Sequence, residues 1–233
     1  MSLAASPTVL EDAAIRSWNV TNGLPEDSIY SLGESPDGNI WIAIRDGLVQ
    51  FDGQTFRLMQ PAEKAGIRDN GLGGVAAAGG KLWVGARDYV GYSPQDAFHS
   101  FTNLDFQIIP FPRRFGDRFG VASVQIRPDG NLLLRRSDGA FLLDTSIQSG
   151  PPLPPKLLFS APPGESISGL HEGRSGRIWY STQSGIKVRQ GWDFKPVTGP
   201  NFQATAMVEA RDGTLWAFAQ GGLYHFEGSK ATP

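Results

Sequence analysis

Residues able to do acid–base or metal chemistry are few in this chain, and their spacing suits neither. The three histidines, His99, His171 and His225, form no H-E-x-x-H, H-x-E or H-x-x-x-H pattern, so no zinc site is signalled. His171 and His225 fall in strands or at strand ends and read as structural or exposed. Cysteine is absent, which removes disulfides, thiol nucleophiles and thiolate metal sites without fixing the compartment. No G-x-S-x-G elbow or G-x-x-x-x-G-K-S/T loop occurs. Gly71-Leu72-Gly73-Gly74 precedes a strand and is no phosphate cradle. Asp37, Asp46, Asp52, Asp129, Asp138 and Asp212 are each followed by glycine, the signature of tight turns rather than of general acids. No cofactor or metal is expected, and the chain reads as a non-enzyme.

One pattern does suggest recognition. Arg45, Arg87, Ser137, Gln183 and Gln220 each stand four residues after a bulky residue that recurs along the chain: Trp41, Trp83, Leu133, Trp179 and Trp216. Arg136 neighbours Ser137, and Arg135 points to the other side of its strand if that segment is extended. These side chains are candidate ligand-binding groups for a polar or anionic small molecule, through charge-assisted hydrogen bonds. The alternative is an ordinary solvated rim.

What must position them is a repeat. Ser28 to Phe56 reads SIYSLGESPDGNIWIAIRDGLVQFDGQTF. It predicts strands at Ile29–Glu34, Ile40–Ile44, Leu48–Phe51 and from Phe56 to Met59, separated by Asp-Gly turns. The same order returns around Gly74–Tyr92, Val121–Asp144, Ile167–Val188 and Thr205–Phe226. The bulky anchors are 42, 50, 46 and 37 residues apart, a period that fits a four-stranded propeller blade. The expected fold is therefore all-β, a β-propeller of four-stranded antiparallel blades with five repeats. The anchors fill the gaps between neighbouring sheets. Blades are expected at about 28–60, 72–110, 119–160, 166–198 and 202–228, after a leader over 1–13 that opens on a cloning remnant. The fifth repeat reads as three strands followed by a tail at 229–233. Ala14–Val20, carrying Ile15, Trp18 and Val20, is the expected missing strand that closes the ring. A fragment of a larger ring is the competing possibility. The only helical turn expected lies at Pro61–Ile67.

Asn22-Gly23-Leu24-Pro25, Ile29 to Leu32, Asp37-Gly38-Asn39-Ile40-Trp41-Ile42 and Asp46-Gly47-Leu48 to Phe51-Asp52-Gly53 resemble the two-component regulator propeller family. Asp212-Gly213-Thr214-Leu215-Trp216 also fits its phrase; Ala43-Ile44 departs from the usual Gly-Thr, and the third copy fits least. The resemblance implies a bacterial periplasmic sensor module placed ahead of a membrane span and a histidine kinase or GGDEF output domain, with carbohydrate-derived ligands a common theme. The signal peptide, anchor and downstream domains are absent from this sequence. Glycosidases and streptogramin lyases also use propellers, so an enzyme is the alternative. Its glycosidase form needs two facing carboxylates, and only Glu34 and Glu209 end inner strands.

The remaining features bound the partners. A net charge of −2 gives no bulk pull toward nucleic acid or an anionic membrane. No apolar run reaches membrane-helix length. Pro94–Gly120 is rich in aromatic residues and arginine, including Phe98, Phe101, Phe106, Phe111, Arg113, Arg114, Phe115, Arg118 and Phe119, a composition common at recognition surfaces. Phe106–Ile109 is its expected strand. The rest is expected to cover one face, to stack on sugar rings, or to contact a second copy in a homodimer or another protein. Pro151–Pro155 reads as a stiff connector.

Overall fold

A computed structural model describes residues 16–45, 47–59, 67, 71–93, 105–111, 120–146, 153–190, 193–198, 202–219, 222–227 and 230–232. Twenty strands among these residues form five four-stranded antiparallel sheets, each built from consecutive strands. Blade one holds β1 (Ile29–Glu34), β2 (Ile40–Ile44), β3 (Gly47–Phe51) and β4 (Phe56–Met59). Blade two holds β5 (Gly74–Ala78), β6 (Lys81–Gly85), β7 (Tyr89–Ser93) and β8 (Gln107–Pro110). Blade three holds β9 (Ser123–Ile126), β10 (Leu132–Arg136), β11 (Gly139–Leu143) and β12 (Lys156–Ser160). Blade four holds β13 (Gly169–Glu172), β14 (Ile178–Thr182), β15 (Gly185–Gln190) and β16 (Asp193–Pro196). Blade five holds β17 (Ala204–Glu209), β18 (Leu215–Ala219), β19 (Gly222–Glu227) and β20 (Lys230–Thr232). The result is a five-bladed β-propeller.

The turn that starts each second strand shows why the repeat folds as it does. In blade one, Ser35 N–H donates to Asn39 C=O and Gly38 N–H to Ser35 C=O. The same pair of bonds recurs at Arg127/Asn131/Gly130, Gly173/Arg177/Gly176 and Ala210/Thr214/Gly213. The glycine sits at φ 81°, 83°, 74° and 86° in these four turns, a region that L side chains disfavour. In three of these turns an aspartate precedes the glycine, Ser175 taking its place in the fourth, and it accepts a backbone N–H two residues on, at 3.0 Å from Asn131 to Asp129 and 2.9 Å from Thr214 to Asp212. These carboxylates therefore make turns.

The anchors fill the spaces between blades. Trp41 packs with Val75, Leu82 and Val84 of blade two, Trp83 with Val124, Leu132 and Leu134 of blade three, and Trp179 with Ala204, Leu215 and Ala217 of blade five. Trp41, Trp83 and Leu133 are fully buried. The indole N–H of Trp41 donates to Ser35 Oγ at 3.0 Å, and that of Trp83 to Ala78 C=O at 3.2 Å. Trp216, on the last blade, is only partly buried. Val208, Phe218 and Leu223 of that blade are exposed, as are Ile29, Tyr30 and Leu32 of β1.

Two expectations need correction. Blade five is completed by β20, which pairs with β19 through His225–Thr232, Phe226–Ala231 and Glu227–Lys230, so residues 230–232 are strand rather than tail. The expected N-terminal strand does not take that place. Ala14 and Ile15 lie outside the described residues, Arg16 to Asn19 join no sheet, and Val20–Asn22 is a 3-10 turn capped by Asn19. Trp18 packs instead on Phe51 and Phe56 of blade one, with ring centroids 5.1 and 6.3 Å away. The alternating apolar pattern was real but serves a loop laid against a sheet. The expected helical turn falls almost wholly outside the described residues, as do the greater part of Pro94–Gly120 and the first two residues of Pro151–Pro155; Phe106 and Phe111 are described and buried.

Candidate functional site

The candidate site is built at the end of the sheets where second strands turn into third strands and where each blade begins. The repeat puts Arg45, Arg87, Ser137 and Gln183 in equivalent turns at this end; Gln220 lies outside the described residues. They do not converge as a group of free side chains. Arg45 is 66% exposed and bonds Glu26 Oε1 at 2.5 Å. Gln183 is exposed, and its Oε1 accepts from Ser166 N–H at 3.2 Å. Ser137 contributes its carbonyl, which accepts from Ile167 N–H at 2.8 Å and pins the start of blade four to blade three. Arg87 is exposed beside Gly120, whose Cα faces the Arg87 backbone so closely that a Cβ there would sit 2.5 Å from the Arg87 Cα.

Arg136 is placed differently from the rim position expected of it. It is buried, its guanidinium lies 4.8 Å above Phe111 and 5.7 Å from Phe141, and its Nε donates to Asp138 at 3.0 Å. Alternation along β10 turns it into the core between blades two and three, where stacking and a carboxylate satisfy the charge.

Its neighbour Arg135 takes the position of interest. Arg135 donates to Ile167 C=O at 3.1 Å and to Ala122 C=O at 3.3 Å, the residues that lead into blades four and three. Ala122 N–H in turn donates to Arg135 C=O. No carboxylate pairs with this guanidinium among the described residues. Burial pushes its pKa down, the mark of a cation stripped of water without a counter-charge. Arg87 and Arg135 thus flank the three-residue segment 120–122 that leads into blade three. Two carboxylates stand at the same end. Glu26 Oε2 and Glu165 Oε2 are buried and accept no hydrogen bond among the described residues, while Glu165 Oε1 accepts from Ser184 Oγ at 2.6 Å. Hydrogen bonding to Ser184 lowers the Glu165 pKa, so it stays ionised. A partly buried cation, an exposed cation and carboxylates with spare acceptors suit a ligand that both donates and accepts hydrogen bonds.

The opposite end holds a second cluster. Inner strands β9, β13 and β17 end there in a cleft of about 360 Å³, lined by Gln125, Arg127, His171, Glu172, Arg174 and Glu209 among others. Glu172 is a third carboxylate ending an inner strand, beyond Glu34 and Glu209. It is buried, and both its oxygens accept from Arg127, at 2.6 and 3.0 Å. Arg127 thus neutralises Glu172 within the cleft, which Glu209 also lines. Among the described residues no group of three metal-ligating side chains is present, and no helix is long and apolar enough to cross a membrane.

Comparisons with known proteins agree with the fold. No curated protein matches the chain. Among solved structures it resembles the extracellular domain of a hybrid two-component system of B. thetaiotaomicron (TM-score 0.67, 13% identity, 85% of this chain and 27% of that one). A second such domain from the same organism gives a TM-score of 0.57 at 14% identity, over 91% of this chain and 35% of that one. Catalytically inactive virginiamycin B lyase from Staphylococcus aureus, solved with quinupristin, gives a TM-score of 0.68 at 13% identity, over 90% and 71%. The chain thus spans only about a quarter to a third of the length of the two signalling-protein domains. At these identities the likeness speaks for the fold. One family model, "Two component regulator propeller", matches residues 23–46, which run from Gly23 through β1 and β2. The first blade of this propeller therefore carries a two-component regulator propeller repeat.

Proposed function

We propose that the chain is an extracytoplasmic ligand-sensing module of a bacterial signal-transduction protein. It binds a small polar ligand, carbohydrate-like in its density of hydroxyl or acid oxygens, at the end of the propeller where the blades begin. It does no chemistry itself, and the bound state is passed to an output domain elsewhere in the protein. The family repeat and the extracellular signalling domains of the same fold support the sensor reading. The observation that carries the site is Arg135: a water-depleted guanidinium held by two carbonyls, one from the segment leading into each of two neighbouring blades. A ligand oxygen on this guanidinium would supply its missing acceptor and tie blades three and four together, which is how binding would alter the relation between blades.

The test is a thermal-shift screen of neutral and acidic mono- and disaccharides, followed by calorimetric titration of any stabilising compound. Arg135→Met and Arg87→Ala should each weaken binding at least tenfold, a loss of about 1.4 kcal/mol or more. Unchanged affinity in both variants would remove this end of the propeller as the site.

A further inference from the structure

The cleft at the far end contains two hydrogen-bond donors aimed at each other. Gln125 of β9 is locked in one amide orientation: its Oε1 accepts from Glu172 N–H at 2.9 Å, and its Nε2 donates to Glu172 C=O at 2.7 Å. Flipping the amide would set donor against donor and acceptor against acceptor. His171 of β13 is locked in one tautomer by the same logic. Its Nε2 lies 2.9 Å from the Glu209 N–H of β17 and must accept, so in the neutral ring Nδ1 carries the proton. Yet Nδ1 stands 3.4 Å from Gln125 Nε2, which also bears hydrogens. Two N–H groups, from blades three and four, converge with no acceptor between them among the described residues.

We infer that this cleft is a second binding site, specific for a neutral, hydroxyl-rich small molecule. A hydroxyl oxygen can accept from both His171 Nδ1–H and Gln125 Nε2–H and still has a proton to give. The acceptor for that proton is Glu209, whose Oε2 takes only the Arg174 N–H, at 2.8 Å, among the described residues. Glu209 disfavours an anion at the point where the two N–H groups meet, and the Arg127 guanidinium is occupied by Glu172 and Asp129; Arg174 stands on the exposed rim of the cleft. Ile126 and Val208 line the same cleft with exposed apolar surface, suited to the C–H face of a polyol or sugar ring. The site lies at the opposite end from Arg135 and does not depend on the function proposed above.

The experiment is a titration of the ¹⁵N-labelled protein with myo-inositol, D-glucose and sodium D-glucuronate, followed by NMR. Concentrations run to about 50 mM, which reaches millimolar affinity. A neutral polyol should shift the His171 Nδ1 and Gln125 side-chain amide signals, and glucuronate should bind at least tenfold more weakly. Gln125→Glu, which replaces a donor with an acceptor, should abolish the response. Val208→Glu, an exposed position outside the hydrogen-bond network, should weaken it at least tenfold even if the first variant does not fold. The inference is overturned if both neutral probes leave the two signals unmoved, if the glucuronate carboxylate binds better, or if Val208→Glu binds as the parent does.

Discussion

His171 Nε2 accepts the backbone N–H of Glu209 at 2.9 Å, so one side chain of blade four holds the inner strand of blade five. The ring also stacks on Trp179, with centroids 5.9 Å apart. This bond exists only while His171 is neutral at Nε2. Burial lowers its pKa from 6.5, and the nearby Glu209 carboxylate opposes that in part. The unfolded chain therefore binds the proton more readily than the folded one. Stability should be intact above about pH 6.5 and fall as the pH drops below it, with a slope of at most about 1.4 kcal/mol per pH unit for one group. Denaturation midpoints at pH 7.5 and 5.5 should differ for the parent and much less for His171→Phe.

A separate acid window belongs to the turn aspartates. Asp52 accepts from Thr55 Oγ1 and from the Thr55 and Gln54 N–H groups, which hold its pKa at about 2. Asp37, Asp144 and Asp212 are lowered as well; hydrogen bonds from neighbouring turn residues outweigh the opposing effect of burial. Their contributions are present above the unfolded value of 3.8 and vanish as pH falls through the folded ones. Replacing Asp52 with Asn should lower stability near neutrality, where the carboxylate contributes in full, and flatten the profile between pH 4 and pH 2, so that thermal melts of variant and parent converge at low pH.

The Arg127–Glu172 pair bridges blades three and four with one partner buried. Glu172→Gln removes the charge that Arg127 faces there and should cost about 3 kcal/mol in urea denaturation. The double replacement by Met should recover much of that loss. Additive losses in the two single variants and the double would contradict a direct pairing.

Tryptophans at equivalent positions should differ in worth. Trp41→Ala opens a cavity between two blades and should cost about 3–5 kcal/mol. Trp216→Ala, on a partly uncovered face, should cost about half that. Equal losses would mean that the face of blade five is as well packed as the inner gaps.

Glycine at position 73 is required by backbone proximity. A Cβ there would stand 2.2 Å from Val121 C=O, on the segment leading into blade three. Gly73→Ala should therefore destabilise by about 2 kcal/mol or more, whereas Gly38→Ala meets no neighbour within 4 Å and should suffer only from its positive φ.

Much of this fold was readable along the chain because each blade is local. Asp-Gly turns and period-two strands lie within one repeat, so Ile29–Glu34, Ile40–Ile44 and Phe56–Met59 could be placed to the residue. Lys230–Thr232 was missed because three residues with no apolar alternation form a strand only once β19 offers an edge. Trp18 misled for the opposite reason, as its alternation with Val20 serves loop packing. Alternation showed that Arg135 and Arg136 point to opposite sides but not which side meets Phe111. The His171 cluster joins residues 46 and 38 apart, so no short motif could disclose it. The repeat itself held the clue: Gln125 and His171 are the cross-strand partners of Leu133 and Trp179, and Gly33, Ala76 and Val208 fill that place in the other blades.

Because every blade takes its four strands from one uninterrupted stretch, no ladder bonds cross from one sheet to the next. Neighbours are joined by side-chain packing and a few polar clips such as Ser168 Oγ to Ala204 C=O at 2.8 Å. Bending is therefore easier at the seams than within the panels. The molecule should behave as a hinged screen, in which a compound wedged at one seam tilts rigid leaves on either side without unzipping any of them.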